Sequence, residues 1–271
     1  MTEADLNVAL GELRRVLRGH ANLVVAFSGG ADSALLAWVA NDELGPERAR
    51  VVTAVSPSLA ETELADCRRL AREWGLAWST VETDEINDPE YLRNDLDRCY
   101  HCKSALVDAL DPILAATAAT VALGVNLDDL GDHRPGQRAA RERGAVFPLV
   151  EAGLTKAMVR AVSRRLGLRT ADKPAAPCLA SRIPYGTPVS VGVMAEVERA
   201  ERALRSLGFD EVRVRHYGDT ARIEVPLDRL ADLVEQRDEI VTKVLASGYE
   251  RVTVDLEGLR SGNLNKGPGL Q

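Results

Sequence analysis

The stretch Asn22–Leu44, NLVVAFSGGADSALLAWVANDEL, decides the fold. An apolar run, Leu23–Phe27, reads as a buried strand, and the Ser-Gly-Gly turn after it breaks the run. The apolar residues that follow, from about Asp32 to Asp42, read as a helix. A strand that turns on glycines into a helix leaves backbone N–H groups and a helix N-terminus aimed at one point, which is an anion site. Ser28 and Ser33 add hydroxyl donors around Gly29 and Gly30. Asp32 stands where it can cap the helix or, with Mg²⁺, orient a polyphosphate. A plain glycine turn is the simpler reading of Gly-Gly alone.

The same alternation continues outward. Residues 2–18 have helical periodicity, ARVVTAVSPS is a second strand, and ETELADCRRLAREWG a second helix. ATVALGVN reads as a later buried strand and LTKAMVRAVSRRLGL as an amphipathic helix. Strands alternating with helices predict an α/β fold, a doubly wound and mostly parallel sheet covered on both faces. After Pro188 the pattern changes. VGVMAEVERAERALRSLG is a helix, EVRVRHYGDTARIEV two strands around a Gly-Asp turn, LDRLADLVEQRDEIVTKVLASG one helix, and RVTVDL a last strand. These predict a smaller α+β domain with antiparallel strands, residues 185–271, joined to residues 1–184 through the linker RIPYGTPVS. The tail SGNLNKGPGLQ is expected to be mobile at its end.

Length and composition fit this plan. A chain of 271 residues exceeds the usual single domain, and 45% apolar with 28% charged residues suits a soluble globular protein. The most apolar window is broken by Ser28, Gly29, Gly30, Asp32 and Ser33, so no membrane span is expected, and the acidic N-terminus lacks a signal-peptide pattern. A cytoplasmic location is expected. The net charge of −7 argues against a general nucleic-acid surface. Four cysteines are then read as thiols, ligands or catalysts rather than a disulfide framework.

Three of those cysteines lie in suggestive strings. DRCYHCK holds Cys99 and Cys102 at Cys-x-x-Cys spacing, which lets two thiolates face one metal. Zinc or a redox dithiol fits that spacing too, because spacing does not choose the metal. DKPAAPCLASR holds Cys178, for which a plain core cysteine is the simpler reading. Cys67, on an amphipathic helix, reads as structural.

Several charged residues are further candidates. Lys103, after the Cys pair, is a contact for a phosphate or a reaction intermediate, or a surface lysine. Asp128, Asp129 and Asp132 follow a strand end and suit Mg²⁺ or loop capping. Arg134 suits substrate or its own loop. Arg182 can bind a carboxylate or phosphate by a bidentate fork. Arg213 and Arg215 share one face of a strand, as substrate-phosphate ligands or as a solvated edge. Glu201 and Glu224 are weaker candidates, and His101 and His216 read as structural.

The string SGGADS resembles the PP-loop of the ATP pyrophosphatase superfamily, whose members adenylate a substrate and release pyrophosphate. No Walker lysine motif is present. The resemblance implies that Ala26, Phe27, Ser28, Gly29, Gly30, Asp32 and Ser33 bind ATP, with Val55 and Ser56, at the end of the second strand, meeting the adenosine. RCYHCK, GVNLDDLGDHRPGQRAA, FPLVEAGLTKAMVRAVSRRLGL and PCLASRIPYGTPVS together resemble the LarE family of ATP-dependent sulfur transferases, over nearly the whole chain.

That resemblance implies adenylation of the carboxylates of a pyridinium biscarboxylic acid mononucleotide and their conversion to thiocarboxylates for the nickel-pincer cofactor of lactate racemase. It makes Cys178 the sulfur residue, with Asp32 and Lys103 catalytic. Ser181, Arg182, Arg134, Arg213 and Arg215 would bind substrate. Some similar proteins use three cysteines, which here implies a 4Fe-4S cluster on Cys99, Cys102 and Cys178 in place of sacrifice of Cys178. A closed homo-oligomer is also implied. A PP-loop tRNA thiolase and a non-catalytic nucleotide-binding iron-sulfur protein are the alternatives.

Overall fold

A computed structural model describes residues 2–131 and 135–260. The chain divides into two compact units, Met1–Glu85 with Asp97–Ala176, and Ile86–Leu96 with Pro177–Gln271.

The first unit opens with α1 (Glu3–Arg18), β1 (Leu23–Ala26), α2 (Ala31–Leu44), β2 (Ala49–Val55), α3 (Glu61–Glu73) and β3 (Ala77–Glu82). A short helix α4 (Pro89–Leu92) belongs to the second unit. The first unit resumes with α5 (Arg98–Thr117), β4 (Thr120–Leu123), α6 (Pro135–Glu142), α7 (Pro148–Glu151) and α8 (Lys156–Arg165). Its four strands run in the order β3-β2-β1-β4, all parallel. Alternate residues of the central strands face opposite ways. Leu23, Val25 and Val51 enter a core with residues of α1, α2, α3 and α8, while Val24 and Val52 enter another with Leu106 and Leu110 of α5. Each fully buried Val or Leu is worth about 1.5–3 kcal/mol over exposure, so both faces of the central strands contribute to holding the sheet between its helices.

The strand order places the topological switch at β1. From β1 the chain winds outward through β2 and β3, then returns to β4 on the opposite side, so the loops after β1 and β4 diverge. That crevice is where doubly wound sheets hold ligands. Gly124, just after β4, lies against the start of α2: a Cβ there would come 2.6 Å from Ser33 N and 2.9 Å from the Asp32 carbonyl carbon. Glycine is what lets these two loops approach.

The second unit contains a 3₁₀ turn Leu179–Arg182, α9 (Val191–Ser206), β5 (Arg213–Tyr217), β6 (Thr220–Glu224), α10 (Leu230–Glu235), α11 (Arg237–Leu245) and β7 (Arg251–Val254). β5 and β6 form an antiparallel hairpin through Gly218, at φ 62°, and β7 joins β6 in parallel. Val214, Ile223, Leu233, Ile240 and Val244 fill its core.

Several elements differ from expectation. β3 and the long α5 were not anticipated, the helix expected over residues 227–248 is broken into α10 and α11 at Gln236, and the last strand is parallel rather than antiparallel. The stretch RIPYGTPVS, expected as a linker, is pinned within the second unit. Asn94 Nδ2 donates to the carbonyls of Pro184 and Thr187 at 2.8 Å each, and Val189 N donates to Leu92 O at 2.9 Å. After the excursion of residues 86–96, the chain passes finally from the first unit to the second between Ala176 and Pro177, inside the exposed run Pro174–Pro177.

Candidate functional site

The first unit carries an open anion loop. Thr53 Oγ1 donates to Phe27 O at 2.8 Å and accepts from Trp78 Nε1 at 2.9 Å, fixing the end of β1 before the loop begins. Gly29 then adopts φ 69°, and Gly30 is the N-cap of α2 with no side chain capping the helix. The first amides of α2 therefore remain available, with the positive end of the helix dipole behind them. Ser33 Oγ accepts from Ser28 N and donates to Gly30 O, both at 3.2 Å, so the serines hold the curve of the loop. β2 ends at Val55 and Ser56 follows it, its Oγ 2.9 Å from Ser58 Oγ.

Asp32 is on the first turn of α2 rather than at its cap. One carboxylate oxygen accepts from Asn126 Nδ2 at 3.1 Å, and the other pairs with Lys156 Nζ. Asp129 accepts from both nitrogens of Asn126, and Asp128 accepts from Lys156 N at 2.9 Å. Through these bonds Asp128 and Asp129 tie the loop after β4 to Asn126 and to the start of α8. Asn126 and Lys156 were missed by sequence reasoning. Their signals were position alone: Asn126 beyond a strand end, and Lys156 at the start of a helix whose N-cap is Thr155.

Lys173 was missed as well. Its ammonium donates to Glu63 at 2.7 Å and Asp66 at 2.8 Å, and it lies 3.6 Å from where a Cβ of Gly29 would be. Burial disfavours its charge, but the two carboxylates outweigh that and raise its pKa. Beneath the same glycine lies Cys67, fully buried, whose thiol burial pushes up to about 11. The structural reading of Cys67 holds.

Cys99 and Cys102 lie in the first turns of α5, the former exposed and the latter half-buried. At i,i+3 they are neighbours on one helix face. Lys103 follows them, and its Cγ would meet a Cβ added at Gly136 at 2.8 Å. His101 sits 3.6 Å from Asp97. Among the described residues, no group of three or more His, Cys, Asp or Glu side chains is arranged to hold a metal ion. Asp132 and Arg134 lie outside the described residues.

In the second unit Cys178 precedes the 3₁₀ turn Leu179–Arg182 and is half-buried. Its carbonyl accepts from Ser181 N at 2.9 Å. Arg182, expected at the substrate, is instead buried in its own turn. Its guanidinium grips Glu201 through two bonds, at 2.8 and 3.1 Å, and donates to Pro177 O at 2.5 Å and Ser181 Oγ at 3.1 Å. Arg215 is also buried, donating to Ser181 O at 2.9 Å and Glu224 at 2.8 Å. Two arginines, each neutralised by a buried glutamate, thus set the backbone around Cys178. Glu201 also accepts from Arg205 and from Val214 N. Burial opposes its charge, yet Arg182 and its neighbours hold the carboxyl below its usual range. Arg213 is half-buried on the same face as Arg215, and burial together with positive Arg182 and Arg215 lowers its pKa.

A four-stranded parallel sheet with an uncapped Ser-Gly-Gly-x-Asp-Ser loop at its switch point defines a PP-loop nucleotide-binding enzyme. The NAD synthase family pattern matches residues 13–95. The chain is 38% identical to the pyridinium-3,5-bisthiocarboxylic acid mononucleotide synthase of Lactiplantibacillus plantarum, over 97% of this chain and 93% of that one. It is 45% identical to an uncharacterized protein of Synechocystis sp., over 97% and 96% of the two chains. With an uncharacterized protein of Methanocaldococcus jannaschii it shares 27% identity over 88% and 91%. The chain belongs to the LarE family of ATP-dependent sulfur transferases. No helix among the described residues is long and apolar enough to cross a membrane.

Proposed function

We propose that this enzyme adenylates carboxylates of pyridinium-3,5-biscarboxylic acid mononucleotide and converts them to thiocarboxylates, the groups that bind nickel in the pincer cofactor of lactate racemase. The observation that carries the reading is the open loop Ser28–Ser33 in a chain 38% identical to a bisthiocarboxylic acid mononucleotide synthase over nearly its whole length. The loop amides hold the phosphates of ATP, Asp32 orients Mg²⁺ on them, and the end of β2 at Val55 and Ser56 receives the adenosine. A substrate carboxylate oxygen attacks the α-phosphorus and pyrophosphate leaves, giving an acyl adenylate. Attack of a sulfur nucleophile on the acyl carbon then expels AMP. Lys103 contacts the adenylate, and half-buried Arg213 receives the phosphate of the mononucleotide, with Arg215 behind it holding the strand to Glu224 and Ser181. Burial first, and the nearby positive charges of Arg182 and Arg215 second, lower the pKa of Arg213, and a bound anion would offset both, which supports an anion there.

Cys178 is the sulfur residue of this proposal, its backbone fixed by Arg182 and Arg215. Cys99, Cys102 and Cys178 would hold a 4Fe-4S cluster, which when bound supplies sulfide as the nucleophile. The paired thiols on one face of α5 support this as soft donors.

The test is anaerobic purification with iron and sulfide analysis, then intact mass before and after turnover. About four irons per chain, lost in each of Cys99→Ala, Cys102→Ala and Cys178→Ala, supports the cluster. No iron, with a loss of about 34 Da on turnover as the Cys178 sulfur leaves, replaces the cluster with sacrifice of Cys178. In either case Cys178→Ala should release pyrophosphate but form no thiocarboxylate. No substrate-dependent pyrophosphate release by the wild type overturns the proposed activity.

A further inference from the structure

The phosphate loop contains no lysine from Ser28 to Ser33, yet one is stored beside it. Lys173 reaches the loop from the segment after α8, with its ammonium 3.6 Å from the Cβ position of Gly29. Its side chain is 16% exposed, unlike an ordinary surface lysine, and it is held by Glu63 of α3 at 2.7 Å and Asp66 of α3 at 2.8 Å.

Neither carboxylate needs this lysine alone. Asp66 also accepts from Arg169 at 2.8 Å and Arg69 at 3.1 Å, so it stays neutralised if the ammonium leaves. Glu63 is 24% exposed and can be hydrated. A lysine stem has four rotatable bonds and its ammonium is a compact charge with three donors, suited to moving between acceptors a few ångströms apart. A polyphosphate seated on the amides of Gly29 and Gly30 would be a stronger acceptor at short range than two carboxylates, one of which already has other partners.

We propose that Lys173 is a polyphosphate ligand of the loop, and that Glu63 and Asp66 are the counter-ions to which its ammonium returns when pyrophosphate departs. The proposal rests on the assignment of the ATP site to this loop. Exchange between the two sets of anions makes binding weaker than a free lysine would give and eases release of pyrophosphate. It also predicts an unusual sign for one substitution. Glu63→Gln removes a negative charge that competes for the lysine, so it should tighten pyrophosphate binding.

The experiment is calorimetric titration of the full chain with Mg-pyrophosphate and with a non-hydrolysable Mg-ATP analogue. Lys173→Met should weaken both by about 10- to 100-fold, the size of one lost charge-assisted contact, with partial recovery in Lys173→Arg. Glu63→Gln should tighten pyrophosphate by about 3- to 10-fold. Unchanged pyrophosphate affinity in a folded Lys173→Met, or unchanged or weaker affinity in Glu63→Gln, overturns the proposal; the second variant decides should Lys173→Met not fold. Asp32→Ala separates this from the parent reading. If neither ligand binds the wild type, or Asp32→Ala leaves ATP binding unaltered, the loop assignment fails instead.

Discussion

The two units use opposite electrostatics. Around the phosphate loop, the charged pairs are partly wet: Lys156 with Asp32, and Lys173 with Glu63 and Asp66. Around Cys178 they are dry and fixed. The side chains of Arg182 and Glu201 are 6% and 1% exposed, and those of Arg215 and Glu224 are 4% and 0%. A site that must admit and release a polyanion benefits from counter-ions it can trade. A loop presenting one cysteine benefits from ions that cannot move. Buried pairs are poor sources of net stability but very costly to break singly, which is what makes them effective at holding a backbone in one place.

The sharpest way to break the contrast is to remove one buried partner. Glu201→Ala leaves Arg182 buried without its carboxylate and should destabilise the second unit by about 3–5 kcal/mol, read as a fall in the urea midpoint. A loss under about 1 kcal/mol would mean that the pair is not the anchor of the Cys178 turn. On the other side, Gly124→Ala puts a methyl 2.6 Å from Ser33 N. The cost of such overpacking is about 1–3 kcal/mol, and because the displaced atoms are backbone of the phosphate loop, adenylation should fall while the second unit melts normally. Wild-type pyrophosphate release in that variant would show that the loop tolerates a shift.

Much of the first unit was legible because its determinants are local. The strand, glycine turn and helix of residues 22–44 announce themselves through apolar periodicity and two glycines, and SGGADS identifies the loop. β3 was missed because it lies at the sheet edge, where Ser79 and Thr80 are exposed and the apolar pattern is weak. α5 was hidden by Pro112 inside it and by the attention its cysteines attract. The roles of Arg182 and Arg215 could not be read at all from spacing. An arginine that binds a substrate and one that binds a buried glutamate 19 residues later look alike in a sequence, and only the fold shows Glu201 beneath Arg182. Lys173 was invisible for a similar reason, since its partners lie 110 and 107 residues away.

Acid should separate the units by mechanism. Glu201 has a folded pKa below its ordinary 4.5, so its contribution is complete above 4.5 and disappears only as pH falls through the lower folded value. His216, buried beside Tyr249, has its pKa lowered from 6.5 by burial, partly countered by Glu196. The unfolded chain therefore takes up the proton first, and stability falls as pH drops below 6.5. The urea midpoint of the second unit should begin to decline as pH falls below 6.5, before Glu201 is protonated. His216→Phe should flatten that decline; an equally steep decline in the variant would move the cause elsewhere.

The smallest effect concerns Cys67, which supports the exchangeable site without exchanging anything. Its sulfur lies 3.0 Å from the Cβ position of Gly29, so it forms the floor under the loop at the point where the backbone has positive φ. A floor must be compact and chemically quiet. With its thiol near 11 and no exposed surface, almost none is thiolate at pH 8, and the thiolate is the reactive form. Alkylation of the apo protein at pH 8 should therefore mark Cys99 quickly and Cys67 only after denaturation, as read by peptide mass mapping. Cys67→Ala should remove little more than a sulfur atom's packing, about 1 kcal/mol, and leave the affinity for pyrophosphate within about twofold. Rapid labelling of Cys67 would mean that the floor opens, and that the loop's readiness to trade ions extends to its packing as well.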